Sequence, residues 1–137
     1  MKMRTDARYK IVVPTSMGVR ITPENRQPVE SARTYMIQST SAESNVAQIS
    51  ASLGLPAKLL TTFVADNAIA TFIKNDLRFR GLDYEGPSIP AGGPWGYRHQ
   101  FNIADSGYGA RGPYVQNDRA GEVGRTLNVK DFDLDRI

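Results

Sequence analysis

Thr40-Ser41-Ala42-Glu43-Ser44-Asn45-Val46-Ala47-Gln48-Ile49-Ser50-Ala51-Ser52-Leu53-Gly54-Leu55-Pro56, continuing as Ala57-Lys58-Leu59-Leu60-Thr61-Thr62-Phe63-Val64, reads as a capped helix followed by a buried strand. Thr40 to Glu43 has the S/T-x-x-E form of a capping box, in which a hydroxyl and a Glu side chain satisfy the free amides at a helix start. Ala42, Val46, Ile49 and Leu53 recur at helical spacing and predict the buried stripe. Gly54 can adopt the left-handed conformation that ends a helix, and Pro56 cannot continue one. Lys58 to Val64 is almost uninterrupted in apolar and β-branched residues, the pattern of a strand covered on both faces.

Working outward, Tyr9 to Val13 is a short strand halted by Pro14, residues 22–28 have loop chemistry, and Val29 to Ile37 alternates as a second strand would. Downstream, Asp66 is placed to cap a helix whose apolar positions are Ile69, Phe72, Ile73 and Leu77, with Gly81 as its stop. Strand, helix, strand, helix in that order predicts a parallel sheet with right-handed crossovers. The texture then changes. Pro87, Pro90, Gly92, Gly93 and Pro94 punctuate a connection, after which Trp95, Tyr97, His99, Phe101 and Ile103 alternate with Gly96, Arg98, Gln100 and Asn102 as an aromatic-faced strand. Asp105 to Gly109 is a turn, Tyr114 to Arg119 the returning antiparallel strand, and Val129 to Ile137 a short helix or loop. The expectation is an α/β core carrying a small antiparallel flap.

With 137 residues, 17 Lys+Arg and 14 Asp+Glu, the chain is one domain or one incomplete lobe. Its net charge of +3 comes from basic residues interspersed with acidic ones, so a solvated mixed-charge surface is favoured over a nucleic-acid patch. No apolar run reaches the roughly 18 residues of a transmembrane helix, and Met1-Lys2-Met3-Arg4 leads into polar residues instead of a signal core. The absence of cysteine removes disulfides, thiolate metal sites and a cysteine nucleophile, and fits a reducing compartment. A cytoplasmic protein without nucleic-acid or membrane partners is expected.

The order of these elements carries a resemblance. Ala42-Glu43-Ser44-Asn45-Val46-Ala47 opens a helix that Ser52-Leu53-Gly54 ends, Ala65-Asp66 follows the next strand, and Arg80-Gly81-Leu82-Asp83 follows the next helix. In this the chain resembles the N-terminal portion of ribokinase-like (phosphofructokinase-B type) carbohydrate kinases. The segment Gly93 to Gly121, with Gly96-Tyr97 and Asp118-Arg119-Ala120, is most similar to the 2-keto-3-deoxygluconate kinase branch.

The resemblance implies a Rossmann-like sheet with a β-sheet lid, with lid strands around 29–37 and 95–119. It also implies transfer of the ATP γ-phosphate to a sugar or sugar acid. A Gly-Ala-Gly-Asp motif supplies the catalytic base in that family, and this sequence has none. ATP and Mg2+ are thus expected to belong to a nucleotide-binding half that residues 1–137 do not include, and the chain alone is expected to be inactive. Asn45, Tyr97 and Arg119 correspond to the family's substrate contacts, and a guanidinium is well shaped to hold a carboxylate through two parallel hydrogen bonds. Asn117 shares a strand face with Arg119, although the branch usually has Tyr there. Lid sheets of the family often pair between subunits, which implies a homodimer.

Three glycine motifs of the family are altered. Thr15-Ser16 stands for Gly-Glu after the first strand, Thr40-Ser41 for the paired Gly before the first helix, and Ala65-Asp66 with Ala70 for the Gly-Asp and the following Gly. These changes admit a second reading, a non-catalytic binding or assembly protein with the same fold. The remaining chemistry is bland. His99 is the only histidine and lies on an aromatic strand, which favours a structural role. Asp131, Asp133 and Asp135 have calcium-loop spacing without the Gly and Glu such a loop needs, so they read as a solvated acidic tail.

Overall fold

The computed structural model describes residues 6–136. Strands β1 (Ile11–Pro14), β4 (Ala57–Leu60) and β6 (Asp83–Glu85) form a three-stranded parallel sheet in the order β1-β4-β6. Every residue of β4 is buried, as its apolar run required. The register sets Val13, Leu59 and Tyr84 in one row. This row joins Ala47 of helix α1 (Ala42–Ser52) and Ile73 and Leu77 of helix α2 (Ala68–Phe79) in the apolar core.

Val12, Lys58 and Asp83 form the adjacent row, whose side chains point to the opposite face. There the buried Lys58 ammonium pairs with Glu85 and lies 5.1 Å from the Tyr9 ring, while the Tyr9 hydroxyl donates to Asp83 at 2.7 Å. The charge tolerates burial because it is partnered; removing one partner of such a pair strands the other. A two-stranded parallel pair, β5 (Phe63–Val64) with β7 (Ser88–Ile89), extends the core.

The flap is a separate four-stranded sheet in the order β3-β2-β8-β9, built from β2 (Gly18–Pro23), β3 (Tyr35–Thr40), β8 (Gln100–Asp105) and β9 (Tyr114–Asp118). Its outer pairings are antiparallel, and a parallel β2–β8 pairing joins them. Two contacts fix it to the core. Ser39 donates its backbone N–H and hydroxyl to Asp76 of α2, and the Arg80 guanidinium donates to the Ser39 carbonyl at 2.9 Å. The buried His99 spans from the Met17 carbonyl, 2.9 Å from Nδ1, to the Val64 N–H, which donates to Nε2 at 3.3 Å.

Several local expectations are corrected. The strand expected at Val29 begins only at Tyr35, and β2, which had no strong alternation, supplies the missing partner. Trp95 to His99 form a loop held by hydrogen bonds from Gly96 N–H to the Gly93 carbonyl and from Tyr97 N–H to the Ala91 carbonyl, so the aromatic strand starts at Gln100. Ser41, not Thr40, caps α1 by accepting from the Ser44 N–H at 2.9 Å; Glu43 turns away to accept from the Thr15 hydroxyl at the same distance. Asn67 caps α2 by accepting from Ala70 N–H, displacing Asp66, whose φ of 50° lies outside the extended range usual for a cap.

The stripe predicted on α1 is reversed. Val46, Ile49 and Leu53 are 54%, 63% and 71% exposed, and the helix instead buries Ser44 and Ala47. Small residues three apart let the helix axis approach β1 and β4 closely, and tertiary fit thereby outweighs the larger side chains.

Candidate functional site

In open α/β sheets ligands bind outside the carboxyl ends of the strands, and here the chain leaves the carboxyl end of β1 directly into β2 of the flap, the expected lid. The link from β1 to β2 runs through Thr15, Ser16 and Met17, and three side chains close a ring on Ser16. Its hydroxyl donates to Glu122; the other oxygen of that carboxylate lies 3.3 Å from Arg119 Nε. Arg119 Nε donates to the Gln100 side-chain carbonyl at 2.8 Å, and the Gln100 amide returns to the Ser16 carbonyl at 3.1 Å. The result is a closed ring, Ser16–Glu122–Arg119–Gln100. Glycine at two positions makes room for it: a Cβ at Gly124 would overlap the Ser16 hydroxyl, and one at Gly18 would overlap Gln100.

The ring borders one face of the lid. Cross-strand register sets Gln38, Arg20, Asn102 and Asn117 in a row over all four strands, and Arg20 Nε donates to the Asn102 side-chain carbonyl at 3.1 Å. The face therefore presents amides and guanidinium groups. The next register row, on the opposite face, sets Ile37, Ile21 and Ile103 side by side. The strands thus separate a hydrogen-bonding surface from an apolar one.

The candidates named from sequence occupy different parts of this arrangement. Asn117 and Arg119 share the polar face, with Arg119 just beyond β9 and its side chain 61% exposed. Tyr97 is 43% exposed on its loop, which is stitched to the segment after Arg119: Arg98 N–H donates to the Gly121 carbonyl and Val123 N–H to the Arg98 carbonyl, both at 2.8 Å. Asn45 lies in the first turn of α1, solvent-exposed, two residues from the Glu43 carboxylate that Thr15 holds.

None of the four lines either of two clefts elsewhere in the molecule. One of about 450 Å³ lies between Val64, Asn67, Thr71, Lys74 and Ser88, and an apolar one of about 330 Å³ between Pro14, Leu60, Leu127, Val129 and Phe132. Sequence reasoning missed Ser16, Arg20, Gln100, Asn102 and Glu122. Gln100 and Asn102 were visible as the polar half of the alternation, but only pairing with β9 sets Asn102 opposite Asn117.

His99 has the structural role expected of it. Burial pushes its pKa below the ordinary value, against a smaller upward pull from the Met17 carbonyl and a further downward one from Lys74. Accepting at Nε2 and facing a carbonyl at Nδ1, the ring is the neutral tautomer with the proton on Nδ1. Among the described residues no group of three or more His, Asp or Glu is placed to hold a metal ion, and Asp131, Asp133 and Asp135 do not gather into one.

The parallel sheet with its helices and the separate four-stranded lid sheet together make up the architecture to be compared with known folds. No family model and no curated protein matches the chain. Solved structures do. A 2-dehydro-3-deoxygluconokinase from Thermotoga maritima superposes with a TM-score of 0.78 at 23% identity, over 91% of this chain and 36% of that one. A PfkB family carbohydrate kinase from Listeria grayi gives 0.76 at 24% identity, over 90% and 37%, and a fructokinase from Halothermothrix orenii gives 0.67 at 16%, over 86% and 40%. The chain has the fold of the PfkB-type carbohydrate kinases and spans between about 36% and 40% of the length of these structures. Among the described residues no helix is long and apolar enough to cross a membrane.

Proposed function

We propose that this chain is the sugar-binding and lid portion of a cytoplasmic carbohydrate kinase that phosphorylates a sugar or a sugar acid such as 2-keto-3-deoxygluconate. The observation that carries this reading is the polar lid face, where Asn117 and Arg119 stand with Arg20, Gln100 and Asn102 beside the carboxyl edge of the core sheet. Amides and guanidinium groups arrayed on a sheet suit a polyol, whose hydroxyls donate and accept at fixed spacing. Tyr97 and Asn45 complete the proposed contacts from the neighbouring loop and helix. ATP and Mg2+ would come with the nucleotide-binding half of a longer protein, so no phosphoryl-transfer step is assigned to residues of this chain.

Glu122 supports a working acceptor site over a degenerate one. Where the family carries Gly-Glu after the first strand this chain has Thr15-Ser16, yet Glu122 brings a carboxylate back to Ser16. One observation favours the alternative, a non-catalytic binding or assembly protein: the Ser41 hydroxyl that replaces a family glycine is committed to capping α1. A homodimer formed through the lid is also proposed, supported by the apolar row Ile21, Ile37 and Ile103 and by the lid's two open edges, β3 and β9. Titrating the 15N-labelled chain with 2-keto-3-deoxygluconate tests the binding reading. Shifts confined to the lid face and the ring are expected, and unchanged spectra at tens of millimolar sugar acid would remove it.

A further inference from the structure

The polar lid face carries two guanidinium groups in different electrostatic situations. Arg119 is paired with the buried Glu122 carboxylate, 3.3 Å from its Nε, so the pair presents hydrogen-bond donors with little net charge. Arg20 is half-buried near the middle of the sheet, between β3 and β8, and its Nε donates to a neutral amide, Asn102. Among the described residues it takes part in no ion pair, and its terminal nitrogens make no hydrogen bond. Gln38, Asn102 and Asn117, its neighbours in the cross-strand row, are all uncharged. The row's net positive charge therefore belongs to Arg20.

We propose that Arg20, and not Arg119, distinguishes a sugar acid from a neutral sugar at this face. This rests on the sugar-binding reading above. Arg20 meets the ligand carboxylate with its two terminal nitrogens, while Nε stays on Asn102 and fixes the plane of the fork. Arg119, already compensated by Glu122, contributes to either ligand through hydroxyl contacts. Partial burial strengthens the choice, because an unpaired cation away from bulk water is screened less and gains more from an anion than an exposed one does.

The test is an NMR titration of the 137-residue chain with 2-keto-3-deoxygluconate and with D-fructose, read from backbone amides and from the arginine Nε–H signals. Arg20→Gln is expected to weaken the sugar acid by about tenfold to a hundredfold, the range for hydrogen bonds to charged groups, and to change fructose less than twofold. Arg119→Gln should weaken both ligands by similar factors. Arg20→Lys, which keeps the charge, should retain the preference for the acid and guards against misfolding of the first variant. The assignment is overturned by selective loss of the acid in Arg119→Gln, by equal losses for both ligands in Arg20→Gln, or by a wild-type chain without preference. A wild-type chain that binds neither sugar would instead defeat the sugar-binding reading itself, and this assignment with it.

Discussion

Replacing Glu122 probes the ring from one of its two buried members, the other being Gln100. The Glu122 side chain is only 9% exposed and receives the Ser16 hydroxyl on one oxygen. A hydrogen bond to a charged group contributes about 1.5–3 kcal/mol. The ion pair to Arg119 adds less, about 0–1 kcal/mol, because that guanidinium is largely in solvent. Glu122→Ala should therefore cost about 1.5–4 kcal/mol, the sum of the two ranges. Glu122→Gln keeps an oxygen for Ser16 and should cost about 1 kcal/mol. Ser16→Ala removes the donor from a buried carboxylate. Combined with Glu122→Ala it should be less than additive by about 1–2 kcal/mol, as expected of contacting partners in one network. Urea unfolding followed by circular dichroism reads all four proteins, with an unchanged slope showing that the folded and unfolded states are otherwise alike. Additivity within about 0.3 kcal/mol would mean that Ser16 and Glu122 do not interact, and the ring would be refuted.

His99 makes stability depend on pH. Its folded-state pKa lies below the ordinary 6.5, so the unfolded chain takes up the proton more readily. The contribution is fully present above about pH 6.5 and declines as pH falls through that value toward the folded pKa; His99→Gln should flatten the urea midpoint between pH 5 and 7.5, and an unchanged profile would exclude His99 as the source. Asn67→Ala should destabilise α2 by about 1 kcal/mol, whereas Asp66→Gly should be neutral or slightly stabilising because Gly accepts a positive φ without strain; the reverse ranking in thermal melts would return the cap to Asp66. Light scattering across a wide concentration range should show a dimer that an Ile37→Lys change weakens, and a wild-type monomer throughout would end the lid-dimer proposal. The chain by itself should release no ADP in a sugar-dependent manner, since positioning acceptor, nucleotide and metal together is what makes phosphoryl transfer fast. Robust turnover would overturn the placement of the catalytic residues outside it.

The core was legible because its signals are local and redundant. The run Lys58 to Val64 is buried throughout as its apolar content required, although Thr61 and Thr62 divide the expected single strand into β4 and β5 of different sheets; Ile73 and Leu77 repeat at helical spacing, and Gly54 and Gly81 take the left-handed conformation expected of helix stops. The site was half legible. Asn117 and Arg119 emerged from the returning strand and from family resemblance, and a two-residue spacing correctly set them on one face.

What the sequence alone could not determine was every choice that depends on a distant partner. The α1 stripe was assigned to the core from its apolar content, but the sheet accepts a helix by shape, and Ser44 and Ala47 permit closer approach than Val46 or Ile49. Ser41 displaced Thr40 as the cap while Glu43 found Thr15, 28 residues away, an interaction that no local pattern encodes. The ring is more distant still, joining Ser16 to Glu122 across 106 residues. Local composition determines which segments become strands and helices, because backbone hydrogen bonding and side-chain periodicity act over a few residues. Tertiary packing decides which face is buried and which charges meet, because these depend on the register of β2 against β8 and of β8 against β9, which only the folded chain establishes.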